Sequence, residues 1–321
     1  MLKNIIPGGY ENIYYGLFIL AGFLIPFVTL GVLKGVLPRD KGREFALNGK
    51  LSEGKPRGAG LLMITAFVLI TALFVPLTLE LIIYLGFIYL EMLCGYLDDC
   101  AAVSWGRLKK GLLDLAVSVG ISVTYCIYNG SDVKLALFGI SFTLPMAVYV
   151  ILGTALVWGA INVTNCSDGV DGLCGSLSIV SLATVYVLMS RMTTDDDFKL
   201  ILLALVLMLA AYLWFNTSPS MMLMGDAGSR AIGVSLAVAA MKLGSPVLFL
   251  FFAFMLIIDG GSSLFKITLI KLTRNKNFMK GIRTPLHDHM RKNFGWSDTQ
   301  VVVRFTLIQA VIGLALIGFL I

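Results

Sequence analysis

Residues 79–100 read LELIIYLGFIYLEMLCGYLDDC, an apolar run broken only by Glu80 and Glu91 that ends in adjacent aspartates, Asp98 and Asp99. A helix rises about 1.5 Å per residue, so a run of about twenty residues crosses the roughly 30 Å hydrocarbon core of a bilayer. A membrane-spanning backbone must satisfy its hydrogen bonds internally, which leaves helices and closed barrels. A barrel would alternate over segments of about ten residues, and this run does not alternate.

Comparable runs lie on both sides of it. The spans drawn from them are 14–37, 59–78, 79–97, 111–128, 143–163, 172–190, 198–215, 230–243, 246–270 and 301–321. The second and third nearly abut around Pro76 and Glu80, as in a tight hairpin, and the eighth is short. Composition agrees: of 321 residues, 58% are hydrophobic and 14% charged, against about 25% charged in a soluble domain. The expected fold is an all-α integral membrane protein of about ten transmembrane helices, forming a single polytopic domain over 1–321.

Orientation follows from Lys and Arg, which favour the cytoplasmic side. The loops after odd-numbered spans hold 17 of these cations, including Lys50, Lys55, Arg57, Lys110 and Arg230; the N-terminal tail and the other loops hold 5, including Lys3, Lys134, Lys199 and Lys242. Both termini are therefore expected outside, in a multi-pass plasma membrane protein. The N-terminus lacks the pattern of a cleaved signal peptide, since Lys3 is followed by Asn4, Pro7, Gly8, Gly9 and Glu11 before any apolar stretch. The net charge of +6 then describes a basic cytoplasmic face that attracts anionic headgroups and anionic substrates. Nucleic acid is not an expected partner, because the cations are dispersed between spans without a binding motif. The five cysteines form no CxxC pair and no Cys/His metal pattern, so they read as reduced packing residues.

Four constellations carry chemistry. Asp98-Asp99 ends the third span; neighbouring helical positions point about 100° apart, so the two carboxylates suit two different tasks. An isolated pair would read equally well as a solvated helix end. The second is Asn162-x-x-Asn165-x-x-Asp168-x-x-Asp171-Gly172, between the fifth and sixth spans. Acids this close to an apolar span are costly and usually functional. The third is Asn216 followed by Met224-Gly225-Asp226-Ala227-Gly228-Ser229. A lone carboxylate between glycines suits Mg²⁺, which takes one or two carboxylates plus substrate phosphates, although Asp226 could instead merely cap the next helix. The fourth is Arg283-Thr284-Pro285-Leu286-His287-Asp288-His289, with the chain's two histidines. A zinc site would need a third ligand of suitable spacing, so phosphate contact by His287 and His289 is the preferred reading. All four fall after odd-numbered spans, with Lys55 and Lys110 on the same face. Carboxylates, amides, lysines and histidines at one membrane surface fit Mg²⁺-dependent phosphoryl transfer.

In this order, Asp98-Asp99, NxxDGxDGL (165–173), GDxGS (225–229) and PLHxH (285–289) resemble the polyprenyl-phosphate N-acetylhexosamine-1-phosphate transferase family. The stretch TPLHDHMRKNFGWSDTQVVVRF (284–305) is most similar to its branch of phospho-N-acetylmuramoyl-pentapeptide transferases. The resemblance implies ten helices, usually in a homodimer. It also implies transfer of phospho-MurNAc-pentapeptide from UDP-MurNAc-pentapeptide to undecaprenyl phosphate, giving lipid I and UMP. By motif position it implies that one of Asp98 and Asp99 deprotonates the lipid phosphate, that Asp226 binds Mg²⁺, and that His287 opens a catalytic histidine cluster. Lys110, Asn165, Asp168, Asp171 and Asn216 match other polar positions of the site.

Three positions depart from the pattern. Asp288 interrupts a usual HHH, Lys55 and Arg57 replace the threonines of a GTPTMGG segment, and Leu223 stands where an aromatic usually precedes MGD. A transferase of GlcNAc-1-phosphate, or of a related sugar phosphate, is the nearest alternative. A transporter with a polar midplane site is the alternative of another class. It would place charges within its spans, whereas the spans of this chain are nearly free of acidic residues, apart from Glu91 and Asp114 towards cytoplasmic ends and Asp259 inside the ninth.

Overall fold

The computed structural model describes residues 11–42, 52–193, 195–275 and 277–321. Lys3, Arg43, Lys50 and Lys276, counted above, lie outside these residues, as does the N-terminal tail read against a signal peptide. Twelve α-helices are present among the described residues: α1 (Glu11–Leu33), α2 (Gly60–Phe74), α3 (Leu79–Cys100), α4 (Arg107–Asn129), α5 (Met146–Ser167), α6 (Leu173–Met192), α7 (Asp196–Asn216), α8 (Gly225–Lys242), the single turn α9 (Phe249–Phe252), α10 (Phe254–Thr273), α11 (Leu286–Phe294) and α12 (Asp298–Leu320).

Seven of these are long and apolar enough to cross a membrane (α1, α3, α4, α5, α6, α7 and α12), and an eighth is reached if α9 and α10 are taken as one broken span. The protein is therefore a multi-pass membrane protein. Three expected spans differ from the drawing. The second is only a 15-residue helix, α2. The eighth begins five residues earlier than drawn, at Gly225, and is enclosed by its neighbours. The ninth bends by 92° at Ala253. The fold is also not purely helical, because β1 (Asp132–Leu135) and β2 (Ile140–Thr143) pair antiparallel, Asp132 opposite Thr143.

The sequence of α8, GDAGSRAIGVSLAVAAMK, explains its central place. Its small side chains let α3 and α5 pack close on it, with α2 and α6 alongside. Large apolar residues instead face outward on the peripheral helices, as with Leu20 and Val28 on α1 and Leu307, Val311 and Leu314 on α12. This is the inverse of a soluble fold and what lipid as solvent requires.

Candidate functional site

The C-terminus of α3 and the N-terminus of α8 meet at one end of the bundle. Gly95 permits this, since a Cβ there would collide with the backbone of Asp226. The adjacent carboxylates of α3 serve different partners, as their angular separation requires. Asp98 accepts from the Trp105 amide (2.5 Å) and from Ser104 Oγ (3.2 Å), and pairs with Lys110. Asp99 accepts from Arg57 Nε at 2.8 Å and from the Ala227 amide at 3.2 Å.

Asp226 completes the cluster. The N-cap of α8 is Met224, which makes no side-chain cap, and the Ala227 amide of its first turn is taken by Asp99 rather than by Asp226, so the capping alternative for Asp226 is overturned. Its carboxylate lies 3.0 Å from Lys110 Nζ and 3.7 Å from Arg57 Nη2. Lys110 thus bridges Asp98 and Asp226, while Arg57 joins Asp226 to Asp99 and, at 2.9 Å, to the buried Asp40. Burial opposes the charge on Arg57, but Asp99 and Asp40 outweigh it and hold the guanidinium pKa above its ordinary value.

The second constellation borders this cluster. Helix α5 runs to Ser167, further than drawn, so Asn162 and Asn165 are helical and Asp168 is the C-cap. Asn165 Nδ2 donates to Ser229 Oγ on α8 at 3.0 Å. Asp171 accepts from the Ser220 amide at 2.9 Å and lies 3.8 Å from Lys55 Nζ, which donates to Ser220 Oγ at 2.9 Å. Asn216 is buried, with Oδ1 on the Gly172 amide and Nδ2 on the Met222 carbonyl, both at 2.9 Å. It ties the loop after α5 to the loop after α7.

The two histidines separate, and no zinc pair forms from them. On α11, His287 is buried, with Nδ1 at 2.8 and 3.0 Å from the carboxylate oxygens of Asp259 and its amide donating to the same group at 2.7 Å. Two acceptor oxygens facing Nδ1 place the proton there, which leaves Nε2 towards Gly169. A Cβ at Gly169 would collide with the imidazole. His289 turns back on its own segment, where Nδ1 accepts from the Arg283 amide at 3.3 Å. Asp288 also points away, to Arg291.

Two departures from the family pattern touch each other. The Leu223 amide donates to the Pro56 carbonyl (2.8 Å) and the Ala59 amide to the Leu223 carbonyl (3.1 Å), so segment 54–60 lies along 223–224.

Three residues have structural partners that the sequence alone does not assign. Asp259 stood out only as an acid within an apolar span, which was a usable signal. Arg57 stood out only as a departure. Arg230, counted as a loop cation, is instead buried inside α8 against Glu91 and Asp114. Cys100 is exposed rather than packed, whereas Cys94, Cys126 and Cys174 are buried.

Among the described residues no three His, Cys, Asp or Glu side chains form a ready metal cage. Mg²⁺ rarely uses one; it takes one or two carboxylates and completes its shell with water and substrate phosphates. Asp226 suits that donor chemistry, being a partly exposed carboxylate faced by Lys110 and Arg57.

Residues 81–244 match the sequence model of glycosyl transferase family 4. The chain is 36% identical to the phospho-N-acetylmuramoyl-pentapeptide-transferase of Treponema pallidum, over 95% of this chain and 89% of that protein. The proteins of the same name from Borrelia hermsii (30%, covering 91% and 89%) and Staphylococcus saprophyticus (28%, covering 92% and 96%) are similar along nearly their whole lengths.

Proposed function

The chain belongs to glycosyl transferase family 4, and we propose that it transfers phospho-MurNAc-pentapeptide from UDP-MurNAc-pentapeptide to undecaprenyl phosphate, giving lipid I and UMP for peptidoglycan synthesis. The reaction is a phosphoglycosyl transfer to a polyprenyl phosphate. An oxygen of the lipid phosphate attacks the sugar-bearing phosphorus of the donor, and the bond from that phosphorus to the oxygen of UMP breaks. The observation that carries the reading is the Lys110 ammonium held between Asp98 and Asp226, with Arg57 bound to Asp226 and to Asp99. Catalysis of this kind consists mostly of positioning and charge neutralisation.

In this reading one of Asp98 and Asp99 takes the proton of the lipid phosphate. Lys110, Arg57 and Lys55 move from carboxylates to phosphate oxygens as substrates enter. Asn165, Asp168, Asp171 and Asn216 hold the loops against the donor, and His289 contributes at the rim. His287, oriented by Asp259, presents Nε2 to the phosphates. Asp226 would hold Mg²⁺, which when bound neutralises the diphosphate. The working form is a homodimer.

The bilayer is crossed ten times, both termini lie outside, and the acid cluster faces the cytoplasm of a bacterial cell. The many cations of the loops beside it support this orientation. Cysteines placed singly at 132 and 277 should label oppositely with an impermeant thiol reagent in intact cells; equal labelling would remove the orientation. For the reaction itself, the purified protein with Mg²⁺ and undecaprenyl phosphate should release UMP from UDP-MurNAc-pentapeptide and hardly any from UDP-GlcNAc. Turnover of UDP-GlcNAc alone would reassign the donor.

A further inference from the structure

Beneath the acid cluster lies a second charged group, Glu91, Asp114 and Arg230, all buried. Arg230 Nε donates to Glu91 Oε1 at 2.7 Å, and Nη2 reaches both Glu91 and Asp114. Asn162 Nδ2 donates to Asp114 at 3.4 Å. Each member shares a helix face with a member of the acid cluster: Arg230 lies one turn beyond Asp226 on α8, Asp114 one turn beyond Lys110 on α4, and Glu91 two turns before Asp98 on α3.

Helix α8 needs something to fix its depth. Its buried surface is built largely of Gly, Ala and Ser, so close packing brings the helices together but offers few large side chains to set register. A one-residue slip turns a helical side chain by about 100°. For Arg230 that would leave a guanidinium and two carboxylates unpaired in an apolar interior, a severe penalty. A buried polar group that rejects wrong registers in this way is the best-attested use of such costly residues.

We infer that Arg230 is a positioning residue: with Glu91 and Asp114 it sets the depth and rotation of α8 against α3 and α4, and so brings Asp226 to Lys110 and Asp98. The inference rests on the transferase reading only for its activity readout.

Register can be measured without turnover. Asp99→Cys with Ala227→Cys, in a Cys94→Ser/Cys100→Ser background, places one thiol on each helix beside the point where the Ala227 main-chain amide now donates to the Asp99 carboxylate at 3.2 Å. With the trio intact, mild oxidation should close this pair, seen by mass as the loss of two free thiols. Replacing the whole trio (Glu91→Leu/Asp114→Leu/Arg230→Leu) removes the charges together and should leave the thermal midpoint near the parent's. Closure should nevertheless fall about tenfold, because a disulfide tolerates little change in Cα separation.

In the otherwise wild-type enzyme the triple replacement should lower kcat about a hundredfold with little change in KM, as a misplaced reacting group does. Closure at the parent rate, or retained kcat, would overturn the inference. Should the triple variant fail to fold, Arg230→Lys carries the test: it keeps the charge and loses the fork, so closure should slow, and unchanged closure overturns the inference. A wild-type protein that turns over no UDP-sugar would remove the transferase reading, and thiol closure alone would then decide whether the trio sets the register.

Discussion

Helix α8 carries ionic contacts at both ends. At one end Lys242, in its last turn, lies 3.2 Å from Glu80 in the first turn of α3 and 3.2 Å from Asp195, the N-cap of α7. Every one of these charges stands where the helix dipole favours it, with the cation at a C-terminus and the anions at N-termini. At the other end only Asp226 does so. Asp98 and Asp99 crowd the C-terminus of α3, and Lys110 sits in the first turns of α4. The first arrangement follows local rules and reads as a clasp. The second breaks them twice and is held by mutual pairing, by the Trp105 and Ala227 amides and by Arg57. Natural sequences break local rules where function demands it.

The largest effect should come from the end that breaks the rules. Asp226→Asn keeps size and removes charge, and should lower Mg²⁺-dependent UMP release by about a hundred- to a thousandfold. The helix should stay intact, since Asp226 caps nothing. Near-normal turnover at ordinary Mg²⁺ would withdraw the metal assignment and weaken the contrast between the two ends. Asp259→Asn comes next. An amide can present its NH₂ to His287 and so shift the ring proton, which should cost about a hundredfold in kcat while substrate KM changes little. If His287→Gln were severe and Asp259→Asn silent, the pair would be a packing contact. Gly169→Ala should be milder, about tenfold, through displacement of the same imidazole; full activity would mean that the ring moves aside without consequence.

How far this could be read from the chain depended on which physical signal each part leaves. Long apolar helices such as α3 and α7 write themselves in composition, and their ends fell within a few residues. Enclosed or broken elements do not. The small residues of α8 made it look like a short span, and nothing apolar distinguishes the bend at Ala253 from a straight continuation. The acid cluster was legible because Asp98, Asp99 and Asp226 are expensive where they stand. Arg230 was misplaced because a cation at a span end looks the same whether it faces water or a buried carboxylate. Asp259 was visible as an anomaly without a partner, because His287 lies 28 residues further along and no periodicity links them.

The smallest effect is expected at the clasp, and it decides whether the two ends differ in kind. Lys242 makes three charged or polar contacts, to Glu80, Asp195 and Asn129; Glu80 is largely enclosed, but Asn129 and Asp195 reach the rim of the bundle. Asp195 in particular is partly open to solvent. The solvent-open pair with Asp195 contributes within about 1 kcal/mol, since water and salt replace much of what is lost. Lys242→Met keeps most of the stem's packing, so it should lower the thermal midpoint only slightly, and less at high salt than at low. Turnover should be unchanged, because the clasp stands at the opposite end of α8 from the acid cluster. A Lys242→Met enzyme with wild-type stability but reduced kcat would contradict this, since it would mean that the clasp transmits the position of α8 to Asp226.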